Sequence, residues 1–180
     1  MRRFPILMLQ LSAAVGLAAF AAPALAGSSD SLTNAALNTT KQSSYHISMT
    51  TAQGTTEGDV VNPDRMHMVS KGAETIIIGS TAYVKIGGSW RKMDAGGMGS
   101  MQVNVARAMA KYRGDYTSTD LGTKVVDGAP MHAYRVNNAK THRTETVYVD
   151  GSGRMARVES GPIVIRFTKF NEPVTITAPM

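Results

Sequence analysis

From Tyr45 onward the chain keeps changing direction with a two-residue rhythm. Tyr45, Ile47 and Met49 alternate with His46, Ser48 and Thr50. That alternation is the signature of a half-buried strand, because successive side chains on a strand point to opposite faces. "QGTTEGDVV" reads as a turn into a second strand ending near Val61. "NPDR" at Asn62–Arg65 pre-sets a bend, with asparagine first and proline second. "RMHMVS" sets Met66 and Met68 on one face and Arg65 and His67 on the other. Short strands at Thr75–Ile78, Ala82–Ile86 and Trp90–Met93 follow, separated by glycine-bearing turns. These breaks are too short for a parallel crossover, so this set of about six strands is expected to be antiparallel.

A second set fills the C-terminal part. Tyr116–Val126 and Met131–Asn137 flank "DGAP". A strand to Asp150, a "DGSG" turn and a strand to Ser160 come next. "GPIVIRFTKF" carries Ile163, Ile165 and Phe167 on one face and Arg166 and Thr168 on the other. Two helices complete the expectation. Ser29 or Asp30 can cap a short one running to about Thr40. Met98, Met101, Val105, Met109 and Tyr112 recur at helical spacing and form one stripe, with Arg107 and Lys111 opposite. Gly114 ends that helix. A methionine stripe of this kind is either a core face or an adaptable cavity wall, since methionine fits varied shapes.

The fold class that follows is α+β. The sheet is expected to be antiparallel and strongly curved, an unclosed half-barrel, because this many strands in one domain curl. Helices are expected to cover its concave face. The domain occupies residues 27–180. Residues 1–26 have two arginines, an apolar run and Ala24 and Ala26 at A-x-A spacing, the pattern of a cleaved secretory signal peptide.

The mature chain then has about 154 residues, enough for one hydrophobic core. Its 17 Lys and Arg, 19 in the full chain less Arg2 and Arg3, exceed 13 acidic residues. A surplus of that size attracts anionic membrane surfaces weakly. No dense basic run with interleaved aromatics occurs, which argues against nucleic acid. There is no cysteine, so neither thiolate chemistry nor a disulfide or lipid-modified cysteine is available.

Catalytic signatures are missing from the sequence. It has no G-x-S-x-G, H-E-x-x-H or P-loop pattern. His46, His67, His132 and His142 are not at ligand spacing, and no metal or cofactor is expected. Asp115, Asp120 and Asp127 do not match a calcium loop. An enzyme is therefore not expected.

Taken in order, a helix, "YHISM", "NPDRM", "ETIIIGSTAYVKIGGSWRK", "YVDGSGRMARVE" and "FNEPVTITAP" make a chain that resembles the periplasmic lipoprotein-carrier superfamily, the LolA-like and LppX/LprG-like proteins. The resemblance runs from about Ser31 to Pro179. It implies an unclosed half-barrel with a hydrophobic hollow for acyl chains. It implies a lipid or acylated molecule as partner, with transient contact to a membrane or membrane protein, and a periplasmic or secreted location. Stress-sensing regulators resemble the same fold, so a non-enzymatic envelope interaction module is the alternative.

The expected apolar lining is Ile47, Met49, Met66, Met68, Ile76, Ile78, Val84, Ile86 and Trp90, with Met98, Met101, Val105 and Met109 from the second helix and Phe167 from the last strand. Trp90 has two readings, a plug at the barrel mouth or a ligand contact there.

The signal-peptide reading has a direct check. Expressed in a bacterium with its leader, the exported protein is expected to begin at Gly27 by intact mass and N-terminal sequencing. A periplasmic product that retains residues 1–26 would refute it.

Overall fold

The structure, a computed structural model, describes residues 29–96 and 116–179. The expected signal peptide and the expected methionine-striped helix, with Met98, Met101, Val105 and Met109, lie outside the described residues. Among those described there is one helix, α1 (Ser29–Thr40), and eleven strands. They are β1 (Ser44–Thr51), β2 (Gly54–Val61), β3 (Arg65–Ser70), β4 (Ala73–Ile78), β5 (Thr81–Ile86) and β6 (Ser89–Asp94), then β7 (Tyr116–Val126), β8 (Ala129–Asn138), β9 (Thr144–Val149), β10 (Met155–Ser160) and β11 (Ile163–Thr168).

All eleven belong to one antiparallel sheet in the order β6-β5-β4-β3-β2-β1-β11-β10-β9-β8-β7. Two meanders are thus joined by a single long-range pairing, β1 with β11. The sheet does not close, since β6 and β7 stand at opposite ends of that order. Every other neighbour pair is a sequence-adjacent hairpin, which is why short turns sufficed to read the meanders.

Residues directly opposite each other on antiparallel strands share a face, so the register divides the side chains. Ile47 pairs with Phe167 and Gly58, and Met49 with Ile165 and Thr56. Gly58 pairs with Met68 and Val60 with Met66. This face carries α1, whose Leu32, Ala35 and Ala36 pack with Tyr45, Ile47, Met49, Val60, Val158 and Ile165 in one buried cluster. Leu32, Ile47 and Ile165 are almost wholly withdrawn from water. Each such side chain contributes roughly 1.5–3 kcal/mol of transfer free energy.

The C-terminal end of α1 is pinned by polar contacts. Thr39 Oγ1 donates to the Ala35 carbonyl at 2.9 Å and accepts from the Met155 N–H at 2.8 Å. Asn38 Nδ2 donates to the Gly153 carbonyl at 3.2 Å. Asn62 Nδ2 donates to the Thr40 and Gln42 carbonyls at 2.9 and 2.6 Å. Helix-terminal carbonyls otherwise lack partners, so the Asn62 side chain of the β2–β3 turn caps them, while backbone groups of Gly153 and Met155 hold the helix side chains Asn38 and Thr39 on the sheet.

The opposite face is crossed by the C-terminal tail. Ser44 Oγ donates to the Glu172 carbonyl at 2.6 Å, and Arg65 Nη1 to the Ile176 carbonyl at 2.9 Å. Ser44 and Arg65 both lie opposite Val61 in the registers, so the tail runs across β1, β2 and β3. Ile176 is buried there. The tip of the β7–β8 hairpin also reaches this face. Asp127, in the left-handed region at φ 51°, accepts two bonds from Arg157 at 2.9 Å and one from Arg166 at 3.2 Å. A register shift between Asp120 and Thr123 marks the strand that carries this tip.

Gly58 shows how tight the α1 face is. A Cβ there would collide with the Met68 sulfur and with the His67 carbonyl. Gly58→Val is therefore expected to displace Met68 and to destabilise the fold by about 1–3 kcal/mol through overpacking. Urea unfolding measures this, and an unchanged midpoint would show that the strands separate there without strain.

Candidate functional site

The α1 face of β1 to β5 is built from Tyr45, Ile47 and Met49, then Thr56, Gly58 and Val60, then Met66 and Met68, then Thr75 and Ile77, and last Ala82 and Val84. No ionisable acid or base lies on it over these five strands except the phenol of Tyr45. Burial pushes that phenol's pKa up. The first charge appears on β6, where Arg91 pairs with Val84. Two apolar clusters meet along this face. One contains α1 and the strands on either side of the β1–β11 seam. The other contains Ile77, Ala82 and Ala95. Half-buried Met66 packs against both.

Of the residues expected to line a hollow, Ile47, Met49, Met66, Met68, Val84 and Phe167 share this face. Ile86 joins them by strand parity, two residues beyond Val84 on β5. Ile76, Ile78 and Trp90 do not. Met66 pairs with Ile77, whereas Ile76 pairs with His67 and Ile78 with Arg65, so those two isoleucines point to the opposite face. Trp90 pairs with Lys85 on that same face, and the Lys85 ammonium sits 5.4 Å from its ring centroid.

The error has a physical origin. Three consecutive isoleucines carry no alternation, so periodicity could not say which of them faces in. The two-residue turn at Lys71–Gly72 could have said so. With Gly72 in the left-handed region, Ser70 stands opposite Ala73, which brings Met66 opposite Ile77. Ile77, Ala82, Val60 and Tyr45 also share this face, although the expected lining did not include them.

On the far side of the seam the same face stays largely apolar, with Tyr134, Val136, Val147, Val158 and Ile165 buried in the α1 cluster, but it also carries ionisable groups. Glu145 pairs with Val136 and so lies on the α1 face. Its carboxylate is 3.4 Å from Ser160 Oγ. Desolvation raises the Glu145 pKa, partly offset by the Ser160 hydrogen bond and by the charge of Arg143. Near the β7 edge His132 Nε2 lies 2.7 Å from Asp120, and the Asp120 pKa is lowered by the Gly122 N–H and by His132.

The opposite face carries paired charges. His46 Nδ1 is 2.8 Å from Asp59, and Glu74 lies between His67 and Lys85 at 3.1 and 3.0 Å. These hydrogen bonds to Lys85 and His67 lower the Glu74 pKa. Among the described residues no three His, Asp or Glu side chains are grouped to hold a metal ion. Among them, too, no helix is long and apolar enough to cross a membrane.

The chain is similar to several solved structures. Mycobacterium tuberculosis lipoprotein LppX superposes with a TM-score of 0.59 at 19% identity, over 82% of this chain and 97% of that one. MucB in complex with MucA(peri) gives 0.43 at 16% identity, over 82% of this chain and 56% of that one. A LolA superfamily protein from Nitrosomonas europaea gives 0.30 at 9% identity, over 75% and 88%. The chain has an LppX-like fold, as its sequence motifs implied. No family model and no curated protein matches the sequence.

Glu145 yields a test of the ionisable groups on this face. A carboxyl whose folded pKa is raised favours the native state below its unfolded pKa, and that contribution is lost as pH rises through the folded value. Glu145→Gln is thus expected to raise the melting temperature at pH 7, with the gain vanishing as the pH falls toward 4. A gain that persists at acid pH would rule out ionisation as its source.

Proposed function

We propose that this chain is a non-enzymatic carrier or binding protein for a lipid or acylated molecule, acting in the periplasm or after secretion. One observation carries the reading. An apolar face free of acids and cations runs without a break across β1 to β5 and extends past the α1 cluster to Ile77 and Ala82. A soluble β-domain does not need so wide an uncharged layer on one side merely to seat a three-turn helix. In this reading the sheet bends around that layer, and Ile47, Met49, Met66, Met68, Ile77, Val84, Ile86 and Phe167 contact the acyl chain.

The energetics suit such a ligand. Each methylene moved out of water contributes roughly 0.8 kcal/mol. A chain of about a dozen carbons therefore offsets ordering costs of several kcal/mol and leaves a useful affinity. Met66 and Met68 supply flexible, polarizable contacts at the middle of the wall, which favours breadth over selectivity. The LppX-like fold supports the reading at the level of architecture.

Titration of the delipidated protein with a fluorescent fatty-acyl probe tests it, together with native mass spectrometry of protein purified from cells. The wild type is expected to bind saturably and to co-purify with lipid. Half-buried Met66→Glu is expected to weaken uptake at least tenfold, whereas Trp90→Ala on the other face leaves it within twofold. A folded wild type that takes up no acyl probe would end this reading.

A further inference from the structure

The two ends of the sheet are protected in different ways. The β7 edge has a register shift between Asp120 and Thr123, Gly122 at φ 69°, and a tip held by Asp127 to Arg157 and Arg166. Bulges and anchored tips of this kind stop another strand from adding on. The β6 edge has none of them. Its six residues pair with β5 in unbroken register, without proline or bulge. It has one neighbour in the sheet, and its side chains are exposed apart from half-buried Trp90.

Among the described residues the β6 edge is protected only by its own exposed charges. Arg91 lies on the α1 face opposite Val84, and Lys92 on the other face opposite Tyr83. Both are exposed, and neither has an ion-pair partner among the described residues. By contrast Lys85, Arg154, Arg157 and Arg166 all hold carboxylates. Apolar groups flank the two cations: Trp90 beneath the Lys85 ammonium on one side, and Met93, 40% exposed, on the other.

We propose that β6 is a docking edge for an extended acidic segment of a protein partner, which adds as a twelfth strand. The motif it fits is apolar-acidic-acidic-apolar. Opposite Arg91 and Lys92 an incoming strand places two consecutive residues on alternate faces, so adjacent carboxylates meet one cation each. The flanking positions fall opposite Trp90 and Met93. Main-chain hydrogen bonds supply the pairing and the side chains supply the choice of partner. The pattern reads the same in both directions, so it does not depend on strand polarity.

A second copy of this chain fits poorly. Two β6 edges paired about a twofold axis in a continuous sheet set Arg91 opposite Arg91, or Lys92 opposite Lys92, in the registers of fullest overlap. Like charges directly opposed destabilise a strand pair. The same two cations that repel a copy attract an acidic strand. This docking edge is separate from the acyl-binding wall, and the two proposals stand or fall independently.

The test uses the full mature chain and a labelled peptide, Thr-Val-Glu-Glu-Val-Thr, followed by fluorescence anisotropy at low salt. Wild type is expected to bind it, and Arg91→Glu/Lys92→Glu to bind at least tenfold more weakly with an unchanged melting temperature. The charge-swapped peptide Thr-Val-Lys-Lys-Val-Thr is expected to restore binding to that variant. N-methylation of alternate peptide amides is expected to abolish binding to wild type, and backbone amides of residues 89–94 should exchange more slowly when the unmodified peptide is bound. Equal binding of the N-methylated peptide would overturn strand addition. So would wild type that ignores the peptide but binds phosphatidylglycerol vesicles through Arg91 and Lys92, or that dimerises through β6 in sedimentation.

Discussion

The pairing of β1 with β11 organises this molecule. Every other strand contact joins sequence neighbours, whereas this one brings the start of the domain to its end across more than a hundred residues. Ile47 against Phe167 and Met49 against Ile165 put the apolar sides of both meanders on one face. Tyr45 then meets Phe167 and Phe170 in tilted ring contacts with centroids 6.1 Å apart, and α1 lands over the seam. Loop closure over that distance costs entropy that only buried area can offset, so the seam is also where the largest buried side chains gather.

Once the seam is set, each face acquires its own chemistry. The α1 face is free of charge from β1 to β5; beyond the seam its buried core continues through Val158, Val147 and Val136, joined by Glu145, Ser160 and the His132–Asp120 pair. The reverse face holds cross-strand ion pairs and the C-terminal tail. Exposed pairs of this sort add little stability. Their effect is to set a charged face against an uncharged one across the same sheet. The tail supplies the exception, because it crosses the charged side at Ser44 and Arg65 and brings its own buried Ile176 there.

That exception explains which parts of the site could be read in advance. Met66 and Met68 alternate with charged neighbours, so their direction was visible in the sequence, as was that of Ile47 and Met49. In Glu74–Ile78 the alternation is hidden, because Ile76 and Ile78 are apolar on the reverse face as well as Ile77 on the α1 face. Ile76 is buried although it lies beside His67, on the face that the tail crosses at Arg65. A local pattern assumes that one side of a strand is wet. It fails where a distant segment returns to cover that side. Trp90 went astray for a related reason. Its size suggested an interior place, yet its partner is the Lys85 ammonium, a contact made across strands.

Residue alternation and turn chemistry were enough to place eleven antiparallel strands and the first helix, because both are local properties of a few consecutive residues. The resemblance to the LppX-like fold was legible through motifs spread along the chain. Which isoleucine faces α1 and how the tail reaches Arg65 were settled by register and by contacts between residues far apart. A one-residue change of pairing reverses a strand's faces without altering its composition, so no count of residue types could have chosen between them.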